Sequence, residues 1–354
     1  MYNNSSYNVN NAHPLIPREQ NYFLERKLVS IHSEDRDYYK YPNSNHFDVT
    51  LPQPILNVQS LRLVQSALPT YYYTFSNEYQ NTKFHFTVEL LGENKGFCAQ
   101  IQEGTYTNCQ LATELTNVMN NAVSSSAELV DSFNVFYDVV GNKFWFGNTK
   151  VQFTLDFDYK MDYSGINCQQ PVVWFNYVKW GLPFYLGYNK ESYPSTNDPG
   201  LIPQINYIPP SSGGDAIEFI TIPPINKVIT IQGEKDIYME VDKYNSYDEL
   251  YPYTESNKSA YDNNAYNGKV NSAFAKIPID QSTYQDSRNL LLINIVQYEP
   301  PIERINKLRF TFRFHDGRLV DFRGLEFNFT IEFNSLRNEI LRSKNIRTAA
   351  MIAL

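Results

Sequence analysis

Charge is scarce in this chain. Asp, Glu, Lys and Arg supply 19% of its 354 residues, against about 25% in ordinary globular domains. The imbalance is acidic, with a formal net charge of −8, which argues against a nucleic-acid footprint spread over the whole protein while leaving room for one basic segment. Cysteine is scarce too: Cys98, Cys109 and Cys168 form an odd set with no CxxC spacing, so a disulfide framework is not expected and a reduced, intracellular site of folding is. No apolar run approaches the roughly 20 residues a membrane-spanning helix needs. The first residues, MYNNSSYNVNNAHPLIPREQ, lack the apolar centre and basic start of a secretory signal. They are polar and rich in Asn, and are expected to be an arm without structure of its own over residues 1–25.

Chemistry-bearing motifs are missing as well. His13, His32, His46, His85 and His315 are scattered, with no metal-ligand spacing among them or with cysteine. There is no nucleophile elbow, phosphate loop or dinucleotide fingerprint. In DFDYKMD, Asp156, Asp158 and Asp162 have the look of a calcium loop, but Lys160 and Met161 stand where that loop wants a ligand and a glycine. The densest charge cluster, Glu34-Asp35-Arg36-Asp37, offers carboxylates that could do acid–base work. The central Arg36 favours keeping them ionised, whereas acid–base pairs need environments that drive two pKa values apart. A structural part is expected for Asp35, Arg36 and Asp37, with Tyr41-Pro42 turning the chain into a strand that Pro52 and Pro54 then end. No catalytic residue, cofactor, metal or small-molecule substrate is predicted.

What fills the space is aromatic: 28 Tyr and 23 Phe, set largely in two-residue alternation. Phe47, Val49 and Leu51 alternate with polar residues, as do Phe84, Phe86, Val88 and Leu90. Val151, Phe153, Leu155, Phe157 and Tyr159 do the same. So do Leu308 to Phe314 and Leu325 to Phe333. One greasy and one wet face per strand is the mark of antiparallel sheets. Gly141-Asn142 and Asp316-Gly317 stand between such runs as two-residue hairpin turns, and Asp321 follows the second. One helix is predicted at residues 107–123, with Leu111, Leu115, Val118, Met119 and Ala122 on one face and a Thr107/Gln110 capping box. The fold class is therefore all-β: an antiparallel, jelly-roll-like β-sandwich over residues 26–334 with one packed helix. Two tandem jelly rolls fit the length; the single strong helix favours one large sandwich.

Two stretches alternate poorly and are expected to be long loop insertions, near 160–215, with seven prolines, and near 243–271, with six tyrosines. Tyr247, Tyr251, Tyr253, Tyr261 and Tyr266 offer contact area at low rotamer cost, so they are candidate interface residues. Residues 335–354 are predicted to form a basic C-terminal helix or tail, with Arg337, Arg342, Lys344 and Arg347 placed to meet acidic neighbours or anionic lipid heads.

The run SIHSEDRDYYKYPNSNHFDVTLP, then NVQSLRLVQSALP, GTYTNCQLATELTNVMN, AKIPI and EPPIERINKLRFTFRFHDGRLVDFRGLEFNFTIEF, resembles structural proteins of the nucleocytoplasmic large DNA viruses. That resemblance implies a non-enzymatic minor capsid protein of a giant-virus virion, assembled in the host cytoplasm. It would cement the icosahedral capsid by contacting the major capsid protein and other minor capsid proteins, with an internal viral membrane as a further surface and no specific nucleic acid. The alternative is a virion-surface module of lectin or receptor-binding type that uses the Tyr-rich loops.

Overall fold

The computed structural model describes residues 22–69, 72–90, 92–126, 129, 131–158, 179–198, 217–250, 270–279, 284–286, 295–315 and 317–338. The fold is all-β, antiparallel and jelly-roll-like, and the chain divides into two compact units. The first comprises residues 1–71, 236–252 and 268–354; the second comprises 72–235 and 253–267. Sequence reasoning favoured one sandwich because only one helix stood out; the division follows instead from two separate aromatic cores.

Unit 1 is built on β1 (Tyr22–His32), β2 (His46–Pro69), β10 (Asp236–Val241), β13 (Ala275–Pro278), β15 (Val296–Arg313) and β16 (Asn328–Asn338). They hydrogen-bond in the order β1-β16-β2-β15-β10-β13, with β14 (Tyr284–Asp286) added to the end of β2. β2 is long enough to serve two layers. Its first half pairs with β15 (Phe47 opposite Phe310), and its second half pairs with β16 (Ser66 opposite Phe329). Yet the Phe310 and Phe329 rings lie 4.9 Å apart, so the sheet curls until its two ends face each other, as strands do when they turn a sandwich corner. Phe47, Phe310, Phe312, Phe327, Phe329 and Phe333 fill the space between and are buried.

Pro52 and Pro54 mark that bend. They do not end the strand as expected; β2 runs through them, and pairing with β15 skips from Thr50 to Ile55. A residue without an N–H is tolerated where the ladder has a gap. Asn57, at φ 50°, completes the turn in the left-handed region that Asn enters most readily. The two-residue hairpins also need correcting. Four residues, Val139–Asn142, join β5 (Phe133–Asp138) to β6 (Lys143–Asn148). A Cβ at Gly141 would stand 2.4 Å from Asp138 Oδ2, so the Asp138 side chain would have to turn aside, and Asn142 takes φ 50°. Gly317, at φ 89°, closes a wider turn in which Phe314 N–H donates to Arg318 O. Asp316 lies outside the described residues.

Unit 2 packs a four-stranded sheet, β4 (Glu93–Gln100), β3 (Lys83–Leu90), β7 (Phe153–Asp156) and β8 (Ser192–Pro194), against the three strands β5, β6 and β9 (Phe219–Ile220). Rings lock the two sheets together: Phe86 on Phe133 at 5.3 Å, Phe133 on Phe153 at 5.3 Å, Phe84 on Phe146 at 6.1 Å. Helix α1 (Asn108–Val123) lies over this core with Leu111, Leu115, Met119 and Val123 buried and Val118 and Ala122 half-buried. Its capping box forms as read: Gln110 N–H donates to Thr107 Oγ1, and Thr107 N–H to Gln110 Oε1.

Both expected insertions hold structure. Within 160–215, Trp180, Leu182, Tyr185, Leu186 and Tyr188 belong to the core of unit 2. They enter it on the one-turn helix α2 (Leu182–Tyr185), and Tyr188 Oη donates to Phe144 O at 2.8 Å. Within 243–271, β11 (Tyr247–Leu250) pairs with β12 (Val270–Ala273). Local reading misses both because neither piece alternates and each finds its partner far along the chain. The termini are corrected likewise. Residues 22–25 are strand rather than arm, because β1 pairs with β16 from Tyr22 onward; residues 335–338 are strand rather than helix, because β16 runs to Asn338. Cys98 is disulfide-bonded, against expectation, and Cys109 is an exposed free thiol.

Candidate assembly surfaces

The acidic cluster at residues 34–37 resolves into a clasp around one buried cation. A 3-10 turn at Ser33–Asp35 points Arg36 inward. Its guanidinium donates to Ser33 O at 2.8 Å, Tyr41 O at 2.9 Å, Pro42 O at 3.1 Å and the Glu326 carboxylate at 2.5 Å. Asp37 faces outward and its carboxylate accepts from Tyr39 and Lys40 N–H, closing the loop that presents Pro42. Asp35 is exposed. Asp321 caps a turn by accepting from Arg323 N–H at 2.9 Å. The partner of Arg36 is Glu326, 290 residues away, which no local pattern could disclose.

Two further carboxylates behave the same way. Asp48 accepts from Lys307 (2.6 Å), Tyr41 (2.7 Å) and Lys40 (3.2 Å). Glu332 is buried on the outer face of β16, where Arg26 of β1 (2.5 Å) and Arg62 of β2 (3.0 Å) meet it, with Asn334 donating to its other oxygen. Alternation put Glu332 on a wet face; the arginines of both neighbouring strands close over it. In each case burial works against ionisation. Hydrogen bonds from Lys307, Tyr41 and Lys40 to Asp48, from Arg36 and Ser33 to Glu326, and from Asn334 and Arg62 to Glu332 outweigh it, holding all three carboxyls below their usual range. Groups stabilised in the ionised state alone are anchors, not proton shuttles.

The calcium lookalike separates. Asp156 bonds His85 Nδ1 at 3.0 Å, Asp158 accepts from Ser192 Oγ, and Asp162 lies outside the described residues. Among the described residues no group of three or more His, Cys, Asp or Glu could hold a metal ion. His46 Nδ1 lies 2.8 Å from Thr311 Oγ1.

Of the candidate interface residues, Tyr247 sits on β11 with 40% of its surface exposed and its ring 6.4 Å from that of Tyr238. Arg337 is on β16, not on a tail helix, and is ion-paired with Glu25 of β1. Tyr251, Tyr253, Tyr261, Tyr266, Arg342, Lys344 and Arg347 lie outside the described residues.

Sequence reasoning missed a different surface. At one end of unit 2 the β5–β6 loop exposes Val139 (68%) and Val140 (75%), and the segment 222–228 exposes Ile225 (93%) and Val228 (59%). The two pieces are tied by Ile229 N–H to Asn142 O (3.4 Å) and by Lys143 to Pro224 O. Exposed aliphatic side chains on neighbouring loop tips make this end of unit 2 a candidate contact surface. The signals were Val-Val directly before Gly-Asn, and the run IPPINKV. On unit 1, edge strand β1 exposes Leu24 and Leu28.

No protein-family profile and no curated protein matches the sequence. Among solved structures, the fold is similar to the mavirus penton protein, with a TM-score of 0.42 and 10% identity over 89% of this chain and 100% of that one. It is also similar to a chain of the Sputnik virophage structure, with a TM-score of 0.44 and 12% identity over 88% of this chain and 98% of that one.

Proposed function

We propose that the chain is a non-enzymatic structural protein of a virion capsid, a minor component that joins capsomers of the major capsid protein to one another and to other minor capsid proteins. The observation that carries this reading is that every family-like block except the helix-forming GTYTNCQLATELTNVMN lies in unit 1. SEDRDYYKYP folds into the Arg36 clasp, and NVQSLRLVQSALP, AKIPI and the long C-terminal block supply β2, β13, β15 and β16, strands of one sheet. Segments far apart in the chain, such as those of Arg36 and Glu326, 290 residues apart, thus belong to a single scaffold. The aliphatic end of unit 2 supports the reading from another side, since a capsomer packed against Val139, Val140, Ile225 and Val228 would take them out of water.

The test is a comparison of particles. Mass spectrometry of purified virions is expected to detect the chain, with cross-links to the major capsid protein. Val140→Asp combined with Ile225→Asp changes only exposed positions, and is expected to lower incorporation without altering the circular dichroism of the free protein. A chain absent from particles would overturn the assignment.

A further inference from the structure

Among the described residues β1 is an edge strand whose outer side is long, unbroken by proline and incompletely guarded. Among the described residues it pairs only with β16. Edges of this kind template pairing with another chain unless charge, proline or a bulge blunts them. Here most of the guarding charge is already engaged within the sheet: Arg26 by Glu332 at 2.5 Å and Glu25 by Arg337. Leu24 and Leu28, on the same face as Arg26, remain 58% and 55% exposed.

We propose that β1 pairs antiparallel with β1 of a second copy across a two-fold axis centred on Arg26, joining the two seven-stranded sheets edge to edge. The strand's own order argues for this occupant. In that register Leu24 meets Leu28 of the copy, Glu25 meets Lys27, and the two-fold axis repeats each match. Leucines stack on one face while opposite charges meet on the other, which are the cross-strand pairs that stabilise sheets. Arg26 falls opposite itself, but each guanidinium is drawn onto its own Glu332, so no bare like-charge pair results. A lysine on an edge ordinarily repels a neighbouring strand; the exposed Lys27 instead finds the Glu25 of the copy. A shift by two residues, the smallest that keeps the faces aligned, would set Glu25 or Lys27 opposite itself and Leu24 or Leu28 opposite Arg26, losing both matches, so the register is specified. The contact is isologous and closes at two copies. It rests on the edge of unit 1 and stands or falls independently of the capsid reading.

The experiment is sedimentation equilibrium on the full chain. The wild-type protein is expected to dimerise reversibly. Lys27→Glu and Glu25→Lys each place like charges opposite one another twice, and are each expected to raise the dissociation constant at least about tenfold. Mixed together they restore the matches, Glu against Lys at both positions, and are expected to form a heterodimer of wild-type affinity. Leu28→Asn, a change at a solvent-facing position, is expected to weaken the dimer and keeps the test open should Glu25→Lys misfold through loss of its Arg337 partner. A wild-type monomer at every concentration, as when the residues preceding β1 cover its edge in the same chain, would overturn the proposal. So would a dimer indifferent to these substitutions, an open-ended oligomer, or a mixture that fails to recombine.

Discussion

The two units solve the same problem, holding an antiparallel sandwich shut, with different chemistry. Unit 1 fixes its outer faces with ion-paired carboxylates: Asp48, Glu326 and Glu332 are each held ionised by two or three donors. Unit 2 relies on rings and a capped helix. Its displaced titrations are tyrosines and lysines, with burial pushing Tyr188 and Tyr193 up, Tyr106 up to about 12, and Lys143 and Lys190 down. Tyr244 and Tyr298 move upward in unit 1 as well, so acid, not alkali, distinguishes the units. The lesson is that one alternating pattern can be closed either by electrostatics on the wet face or by aromatic packing on the dry one, and the two respond to different perturbations.

The largest expected effect is on the aromatic side. Phe146 is fully buried between Phe84 and Tyr188. Phe146→Ala is expected to cost unit 2 about 3–5 kcal/mol. All three tryptophans fall within unit 2, so the loss is read from the urea midpoint of intrinsic fluorescence; an unchanged midpoint would break the comparison.

Next comes the ionic side. Arg36→Met removes the guanidinium bonds to Glu326 and to the Ser33, Tyr41 and Pro42 carbonyls and leaves Glu326 with the Ser33 hydroxyl, an expected cost to unit 1 of about 3 kcal/mol. Acid does the same without mutation. The folded pKa values of Asp48, Glu326 and Glu332 lie below their ordinary values of 3.8 and 4.5. Their contribution is therefore complete above those values and lost as pH falls through the folded ones. Far-UV circular dichroism, which reports both units, is expected to change before tryptophan fluorescence as pH drops below about 4. Simultaneous change would show that the ionic anchors do not set the acid stability of unit 1.

The smallest effect sharpens the picture of the helix. Thr107→Ala removes one half of the capping box and is expected to cost about 1 kcal/mol, seen as a small shift of the fluorescence midpoint alone.

Much of this was legible. The strands carrying Phe47, Phe84, Phe86, Phe310, Phe312 and Phe329 lie where alternation placed them, as does helix α1 with its Thr107/Gln110 box, while Leu325 to Phe327, read as the start of the last strand, precede it. What escaped was everything decided at long range. Glu332 reads as a wet-face residue until two arginines from strands 270 and 306 positions away close over it. The aromatic run around Tyr188 reads as a proline-rich loop until its rings meet Phe157 and Phe146. The exposed aliphatics at Val140 and Ile225 were hidden because the bond that brings their segments together, Lys143 to Pro224 O, spans 81 residues.

The amino-acid order by itself determined the class of structure, because period-two sidedness leaves an apolar face that only another sheet or a helix can cover. Tertiary structure alone decided how many cores form, which carboxylates become anchors and which apolar side chains stay in water. Those outcomes depend on which distant segments meet, and chain separation carries no signature of spatial contact.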